Sequence, residues 1–303
     1  MNDGSDQTEN NLAEVHRISW LGIQINLLLT VMKFFAGFAG HSSVLIADAV
    51  NSLSDMVTDI VVLVGSKFWG RPADDDHPYG HAKIETLITL FIGVAVFMVG
   101  FGLVYGAIES LVGLVQGKEI VSPTRLAFFV AIITIAIKYV LYRRILHVGM
   151  KIKSTAVVAN ARNHQSDMLA SIPAVAAVGL CLLLGNEYAF LDPLGAVVVS
   201  VMIMYASWEI IRPTFGVLLD GSASKEQNDR ISETILSFSE VRNFEKLRTR
   251  HLGSSGLTVD VHVRVDAGMS VLDSHELTRR ITRKLLDENP NIFEVTIHIE
   301  PSR

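Results

Sequence analysis

Four polar side chains recur along an otherwise apolar stretch, residues 43–59, with the sequence SVLIADAVNSLSDMVTD. Asp48, Asn51, Asp55 and Asp59 follow one another at steps of three, four and four, so on a helix they share one face over about three turns. Carboxylates are costly inside a bilayer unless they face a cavity or a cation. The spacing predicts an ion path, unless some of the four side chains lie at a membrane boundary. Pairing with a matching motif further along the chain makes Asn51 and Asp55 the direct ligands and leaves Asp48 and Asp59 as vestibule or membrane-boundary residues.

A second stretch, VVANARNHQSDML, repeats this pattern, with Asn160, Asn163 and Asp167 at steps of three and four. Face to face, the two N-x-x-x-D motifs offer two carboxylates and two amide carbonyls, which are oxygen donors for one divalent cation. The alternative is that the asparagines form hydrogen bonds with neighbouring helices. His164 adjoins Asn163 and is either a further ligand or a contact to a neighbouring helix.

A third group of ligand-type residues lies between the second and third apolar runs, in PADDDHPYGHAKIET. Asp74, His77 and His81 are spaced to close on one ion, and Pro78 and Gly80 mark a turn between the imidazoles. The segment is therefore either a second metal site or a solvated acidic loop.

Composition limits the kind of protein and the kind of metal site. Half of the 303 residues are hydrophobic, and the mean hydropathy is +0.38, which indicates an integral membrane protein. A net charge of -5 without a long basic run argues against a nucleic-acid partner. The single cysteine, Cys181, excludes an internal disulfide and a thiolate-rich site, so a metal must use oxygen and imidazole. An all-oxygen site suits Mg²⁺, Ca²⁺ or Mn²⁺ better than zinc.

Six apolar runs are long enough to cross a bilayer as helices. They are residues 17–39, 43–68, 84–114, 124–147, 155–184 and 190–212. Lys and Arg concentrate in the links after the second and fourth runs and just after the sixth, so both termini are predicted to be cytoplasmic. Residues 1–13 are polar and predict a disordered tail, and residues 14–212 predict a six-helix transport domain.

Residues 213–303 have the composition of a soluble domain. Helical spacing at 225–238 and 270–288, alternation at 256–265 and 294–300, and a further strand at 244–250 give the order helix, strand, strand, helix, strand. This order predicts a small α+β domain with helices on one face of a three-stranded sheet. An enzyme is not expected, because the membrane segments lack H-E-x-x-H and the tail lacks a phosphate-binding glycine loop.

Together, the N-x-x-x-D segment, DDDHPYGHAKIE, the NHQSD stretch and the small tail domain resemble the cation diffusion facilitator family of divalent-metal exporters, from about Glu14 onwards. The resemblance implies a homodimer, with six membrane helices and a cytoplasmic ferredoxin-like domain in each protomer, that exchanges divalent metal for protons. It implies a transport site formed by Asn51, Asp55, Asn163 and Asp167. It also implies a peripheral loop site formed by Asp74, His77 and His81.

The resemblance also implies contacts in the tail domain. The positions that match metal ligands there are Glu245, His262, His298 and Glu300, with His275 nearby. The two strand histidines could instead be ordinary surface residues, and Glu245 replaces an imidazole of a zinc-binding relative. An ion pair between Lys83 and Asp220 is implied as well.

Asn51 and Asn163 bear on the identity of the metal. Zinc exporters of the family usually carry His or Asp at both positions, whereas Asn with Asp in the second helix resembles the manganese exporters, which often retain Asp at the place of Asn163. Mn²⁺ is therefore the favoured cargo, with Zn²⁺, Fe²⁺ and Co²⁺ possible, and no resident cofactor is expected. The alternatives are a Zn²⁺ or Fe²⁺ exporter and a metal-sensing or scaffold membrane protein without flux. The expected location is a bacterial inner (plasma) membrane.

Overall fold

The structure is a computed structural model that describes residues 3–69, 71, 73–151, 155–253 and 256–302. Its contacts cluster into two compact units. One unit contains the chain up to residue 61 and residues 93–208, and the other contains residues 62–92 and the chain from 209 onwards. The second unit thus takes in a segment that the sequence assigns to the transport domain.

The first part of the chain is helical. The helices are α1 (Asp3–Ala39), α2 (Ser43–Trp69), α3 (Ala82–Val115), α4 (Arg125–Lys151), α5 (Thr155–Ala170), α6 (Ile172–Leu184) and α7 (Leu191–Leu218). With α5 and α6 taken together, they correspond to the six predicted spans. Helix α1 begins at Asp3, within the segment 1–13 that the sequence predicts to be a disordered tail.

Five of these spans are long and apolar enough to cross a membrane within the described residues: α1 from Trp20, α3, α4, α5 with α6, and α7 with the turn before it. Helix α2, whose sequence includes Asp48, Asp55 and Asp59, is not among these five. Small side chains dominate the core of the first unit, as they do where membrane helices approach closely. The buried alanines there include Ala36, Ala47, Ala127, Ala131, Ala174, Ala177 and Ala196.

The fifth predicted span is broken near its middle. Helix α5 ends at Ala170 and α6 begins at Ile172, with Pro173 in the first turn of α6. Proline lacks a backbone N–H and its ring crowds the preceding turn, so a continuous helix is not favoured here. Ser171 lies at the break, only 1% exposed.

The start of α2 is anchored by Asp192 at the beginning of α7. The hydroxyl of Ser42 donates to Asp192 Oδ1 at 2.6 Å, and the backbone N–H of Ser43 donates to Asp192 Oδ2 at 2.6 Å. The carboxylate is 2% exposed. A negative charge at a helix N-terminus satisfies free N–H groups and complements the helix dipole, so Asp192 fixes where α2 begins.

The tail contains the predicted order of elements: α8 (Lys225–Leu236), β1 (Asn243–Leu252), β2 (Gly256–Val265), α9 (Val271–Glu288) and β3 (Ile292–Pro301). Strand β2 is central, antiparallel to β1 and parallel to β3. Ser224 and Ser270 cap the two helices by accepting backbone N–H groups. Valines 259, 261 and 263 point to one face of the sheet and join a core with Ile231, Ile235, Leu277, Ile281 and Leu285.

Candidate metal centre

The four predicted transport ligands lie on α2 and α5. Asn51 and Asp55 are half-buried on α2, Asp167 is half-buried on α5, and Asn163 is exposed one turn before it. The side chain of Asp167 is 21% exposed. These side chains are therefore not fully enclosed by the described residues.

A buried polar cluster joins the two helices beside these ligands. At the break after α5, the Ser171 hydroxyl donates to Asp48 Oδ1 on α2 at 2.7 Å. From α4, Lys138 Nζ lies 3.5 Å from Ser52 Oγ on α2 and 3.8 Å from Asp167 Oδ2 on α5. Since Ser52 follows Asn51 directly, the ligand-bearing segments of α2 and α5 meet at one ammonium group.

Asp48 is paired within this cluster rather than placed at a boundary. Lys33 Nζ of α1 lies 2.6 Å from Asp48 Oδ2, and the two side chains are 0% and 2% exposed. Lys33 also donates to Ser52 Oγ at 3.0 Å and to Ser171 Oγ at 3.3 Å. The prediction of a vestibule or boundary position is therefore wrong for Asp48, because α1 supplies a buried counter-charge. The side chain of Asp59 lies outside the described residues.

The ring of His164 faces the first helix. A Cβ at Gly22 would lie 3.6 Å from His164 Nε2, so the imidazole packs where α1 has no side chain. His164 is 6% exposed, and within the described residues its Nδ1 has no hydrogen-bond partner. His164 thus makes the contact to a neighbouring helix that is one of its two sequence-based alternatives.

The loop residues Asp74, His77 and His81 come together before α3. Asp74 Oδ1 is 3.3 Å from His77 Nδ1, and Asp74 Oδ2 is 3.3 Å from His81 Nε2. Ligand-type atoms of all three lie within 4.8 Å of one another. The backbone N–H of His77 donates to Asp74 at 2.7 Å, and this bond lowers the pKa of the Asp74 carboxyl. The ligating, ionised form of Asp74 is thereby favoured.

In the tail, three of the four predicted ligands meet on neighbouring strands. His262 and His298 are register partners on β2 and β3, and with Glu300 they offer ligand atoms within 4.8 Å. His262 Nδ1 donates to Glu300 Oε1 at 2.6 Å, which lowers the pKa of the Glu300 carboxyl. Glu245 instead accepts from Arg264 Nη2 at 2.8 Å, so its carboxylate is already neutralised.

Lys83 and Asp220 form the ion pair that the family resemblance implies. Lys83 Nζ at the start of α3 lies 3.1 Å from Asp220 Oδ1, which follows α7. The backbone of Asp220 has a φ of 53°, a left-handed conformation that Asp and Asn tolerate better than most residues. The side chains are 44% and 52% exposed, so water screens the attraction.

We expect Lys83→Ala to lower the free energy of unfolding by less than about 1 kcal/mol, because exposed ion pairs contribute little. Asp220→Asn is the matched variant, since it removes the charge without straining the left-handed backbone. Denaturant unfolding in detergent micelles measures both changes. A loss of several kcal/mol in either variant would contradict the assignment of this pair to positioning.

The sequence did not reveal the partners of the buried lysines. Lys33 and Lys138 lie inside apolar spans, and an ammonium at that depth signals a buried counter-charge. The same signal does not say which carboxylate supplies it. Ser52 and Ser171 carried no signal, because serine is common in membrane helices and its partners depend on packing.

Comparison with known proteins gives matches along the chain. Residues 19–219 match the cation efflux transmembrane domain, and residues 223–302 match the cation efflux protein cytoplasmic domain. Metal tolerance protein C1 of Arabidopsis thaliana is 35% identical over 95% of this chain, which spans 63% of that relative. Manganese efflux system protein MneP of Bacillus subtilis (strain 168) is 30% identical, with 94% of this chain and 95% of the relative covered.

A solved structure resembles part of the chain. The metal-bound C-terminal domain of the CzcD transporter from Thermotoga maritima is 34% identical, with 25% of this chain and 87% of that one covered and a TM-score of 0.24. The family assignment rests on the sequence matches, of which the transmembrane match alone covers more than half of the 303 residues. The chain therefore belongs to the cation efflux family, an integral-membrane family whose members are transporters of metal ions rather than enzymes.

Proposed function

We propose that this protein exports divalent metal cations in exchange for protons, with Mn²⁺ as the favoured cargo. The observation that carries the proposal is the pair of N-x-x-x-D motifs on α2 and α5, whose segments meet at the Lys138 ammonium. Asp55 and Asp167 supply the charge of the transport site, and Asn51 and Asn163 supply neutral carbonyl oxygens. Four oxygen donors suit a hard divalent cation.

Two lines of reasoning support manganese. First, the proposed site has oxygen ligands at all four positions, whereas zinc sites favour imidazole and thiolate. His164, which could have added an imidazole, packs against α1 at Gly22. Second, two Bacillus subtilis relatives are named as manganese efflux system proteins, MneP at 30% identity and MneS at 28%.

Transport follows from competition between metal and protons for the same carboxylates. With the site open to the cytoplasm, ionised Asp55 and Asp167 bind a metal that has shed part of its water. Movement of the helices then opens the site to the other side, where protons displace the metal and reset the carrier.

The remaining features extend the same proposal. The protein works as a homodimer through its tail domain, in a bacterial inner membrane with both termini in the cytoplasm, as the distribution of Lys and Arg indicates. Asp74, His77 and His81 form a second metal site, for which their mutual approach within 4.8 Å is the support. His262, His298 and Glu300 form a third, and Arg264 lies between Glu245 and Glu300, at 2.8 Å and 3.7 Å from their carboxylate oxygens.

The test compares Mn²⁺, Zn²⁺, Fe²⁺ and Co²⁺ flux into proteoliposomes under an imposed pH gradient. We expect Mn²⁺ to be transported best by the wild type, and uptake to fall when the gradient is collapsed. Asn51→His and Asn163→His each add an imidazole and should move the preference towards Zn²⁺.

Three outcomes would contradict parts of the proposal. Wild-type preference for Zn²⁺ or Fe²⁺ would overturn the metal assignment, and uptake insensitive to the gradient would overturn antiport. No flux of any metal through a folded, reconstituted protein would favour a sensor or scaffold.

A further inference from the structure

Lys138 lies in the membrane domain with its charge directed at a proposed metal ligand. The residue is 1% exposed, and its Nζ is 3.8 Å from Asp167 Oδ2 and 3.5 Å from Ser52 Oγ. A buried ammonium needs a carboxylate or other acceptors to offset the loss of hydration. At Lys138 the ion pair is made with the carboxylate that is also proposed to bind the cargo.

The other buried lysine provides a contrast. Lys33 is paired at 2.6 Å with Asp48, which is 1% exposed and is not among the proposed ligands. The Ser171 hydroxyl donates a further bond to Asp48, and Lys33 itself donates to Ser52 and Ser171. Lys33 therefore neutralises a structural carboxylate, whereas Lys138 approaches one of the two carboxylates of the transport site.

We propose that the Lys138 ammonium is a built-in cation that competes with the transported metal for Asp167. In the metal-free protein it holds Asp167 and offsets part of the negative charge of the site. A divalent ion that binds Asp167 must displace the ammonium or remain close to it, and like charges at such distances repel each other. This inference rests on the proposed transport site and adds to it a residue that sets affinity.

Two consequences follow for the transport cycle. Metal binding is weaker than two carboxylates and two amides alone would give, because the ammonium must first give up Asp167. Release of the metal and return of the empty carrier are faster for the same reason. The tethered ammonium takes the place of the departing metal and neutralises the charge of Asp167. In the metal-free protein the ammonium also lies next to Ser52, whose hydroxyl oxygen is 3.5 Å from Lys138 Nζ.

Removing the charge should therefore separate affinity from turnover. We expect Lys138→Met to bind Mn²⁺ at least about tenfold more tightly by isothermal titration in micelles, since removing one nearby charge repulsion is worth at least that factor. Mn²⁺ flux at saturating metal should fall in proteoliposomes, because release slows. A merely structural role would weaken binding and flux together.

Matched variants guard against misfolding. Lys138→Arg keeps the charge and should bind Mn²⁺ like the wild type, whereas Lys138→Gln removes the charge but keeps a polar end and should bind more tightly. Lys118→Met removes an exposed lysine of the same unit and should change neither quantity. Thermal melting shows which variants are folded. One folded neutral variant, Lys138→Met or Lys138→Gln, is enough to test the effect of the charge on affinity.

The result that would overturn the inference is a neutral, folded variant whose Mn²⁺ affinity is equal to or weaker than that of the wild type. Failure of the proposed function has a different signature. In that case the wild type itself does not bind Mn²⁺, or Asp167→Asn binds it as well as the wild type does, whatever happens at Lys138.

Discussion

Asp55→Ala is expected to abolish metal transport while leaving the protein folded. Asp55 is half-buried on α2, one turn after Asn51, and is proposed to supply one of the two charges of the site. Loss of residues that only support metal ligands costs about 10–100-fold in affinity, so loss of a charged ligand should cost more. Mn²⁺ uptake into proteoliposomes, normalised to reconstituted protein, measures the effect.

Two variants serve as controls for Asp55→Ala. Asp55→Asn keeps the shape and removes the charge, so it should lose nearly as much uptake if charge is what binds the metal. Asp75→Ala removes an exposed carboxylate in the loop before α3 and should leave uptake near the wild-type rate. Normal uptake by Asp55→Ala would show that the metal passes elsewhere.

Lys33→Met is expected to produce the largest loss of stability, about 3–5 kcal/mol, because it leaves Asp48 buried and charged without its partner. The two side chains are 0% and 2% exposed, so water cannot replace the ammonium. Ser52 and Ser171 lose a donor at the same time. Denaturant unfolding in detergent micelles measures the free energy of unfolding.

The double variant Lys33→Met/Asp48→Leu tests the cause of that loss. Replacing both members of a buried ion pair by apolar side chains is often neutral, so much of the stability should return. If the single variant were as stable as the wild type, or the double variant no more stable than the single one, the pair would not be the source of the effect. Lys118→Met, at an exposed site, is the control.

The helices and strands of the tail domain could be predicted closely from sequence, because short-range patterns of residues determine them. The alternation along GLTVDVHVRV predicts β2, and its valines lie in the core of the structure. The two helices begin after Ser224 and Ser270, which cap them. Such signals depend only on residues a few positions apart, so they can be recognised in the sequence without knowledge of the tertiary structure.

The cluster beside the transport site was only partly predictable. Spacing placed Asn51 with Asp55 and Asn163 with Asp167, since positions three or four apart share a helical face. The partner of Asp48 was not predictable, because Lys33 is on another helix and reaches it only through packing. For the same reason, the binding of Glu245 by Arg264 could not be foreseen from the tail sequence.

The bonds from Ser42 and Ser43 to Asp192 hold the first turn of α2 in place. At 1.5 Å per residue, Asn51 lies about 12 Å and Asp55 about 18 Å along the helix from that fixed point. A tilt of about 10° around it displaces Asn51 by about 2 Å and Asp55 by about 3 Å. Displacements of this size exceed the tolerance of a metal–oxygen bond, so a slight rotation of α2 about Asp192 would be enough to make or break the proposed site.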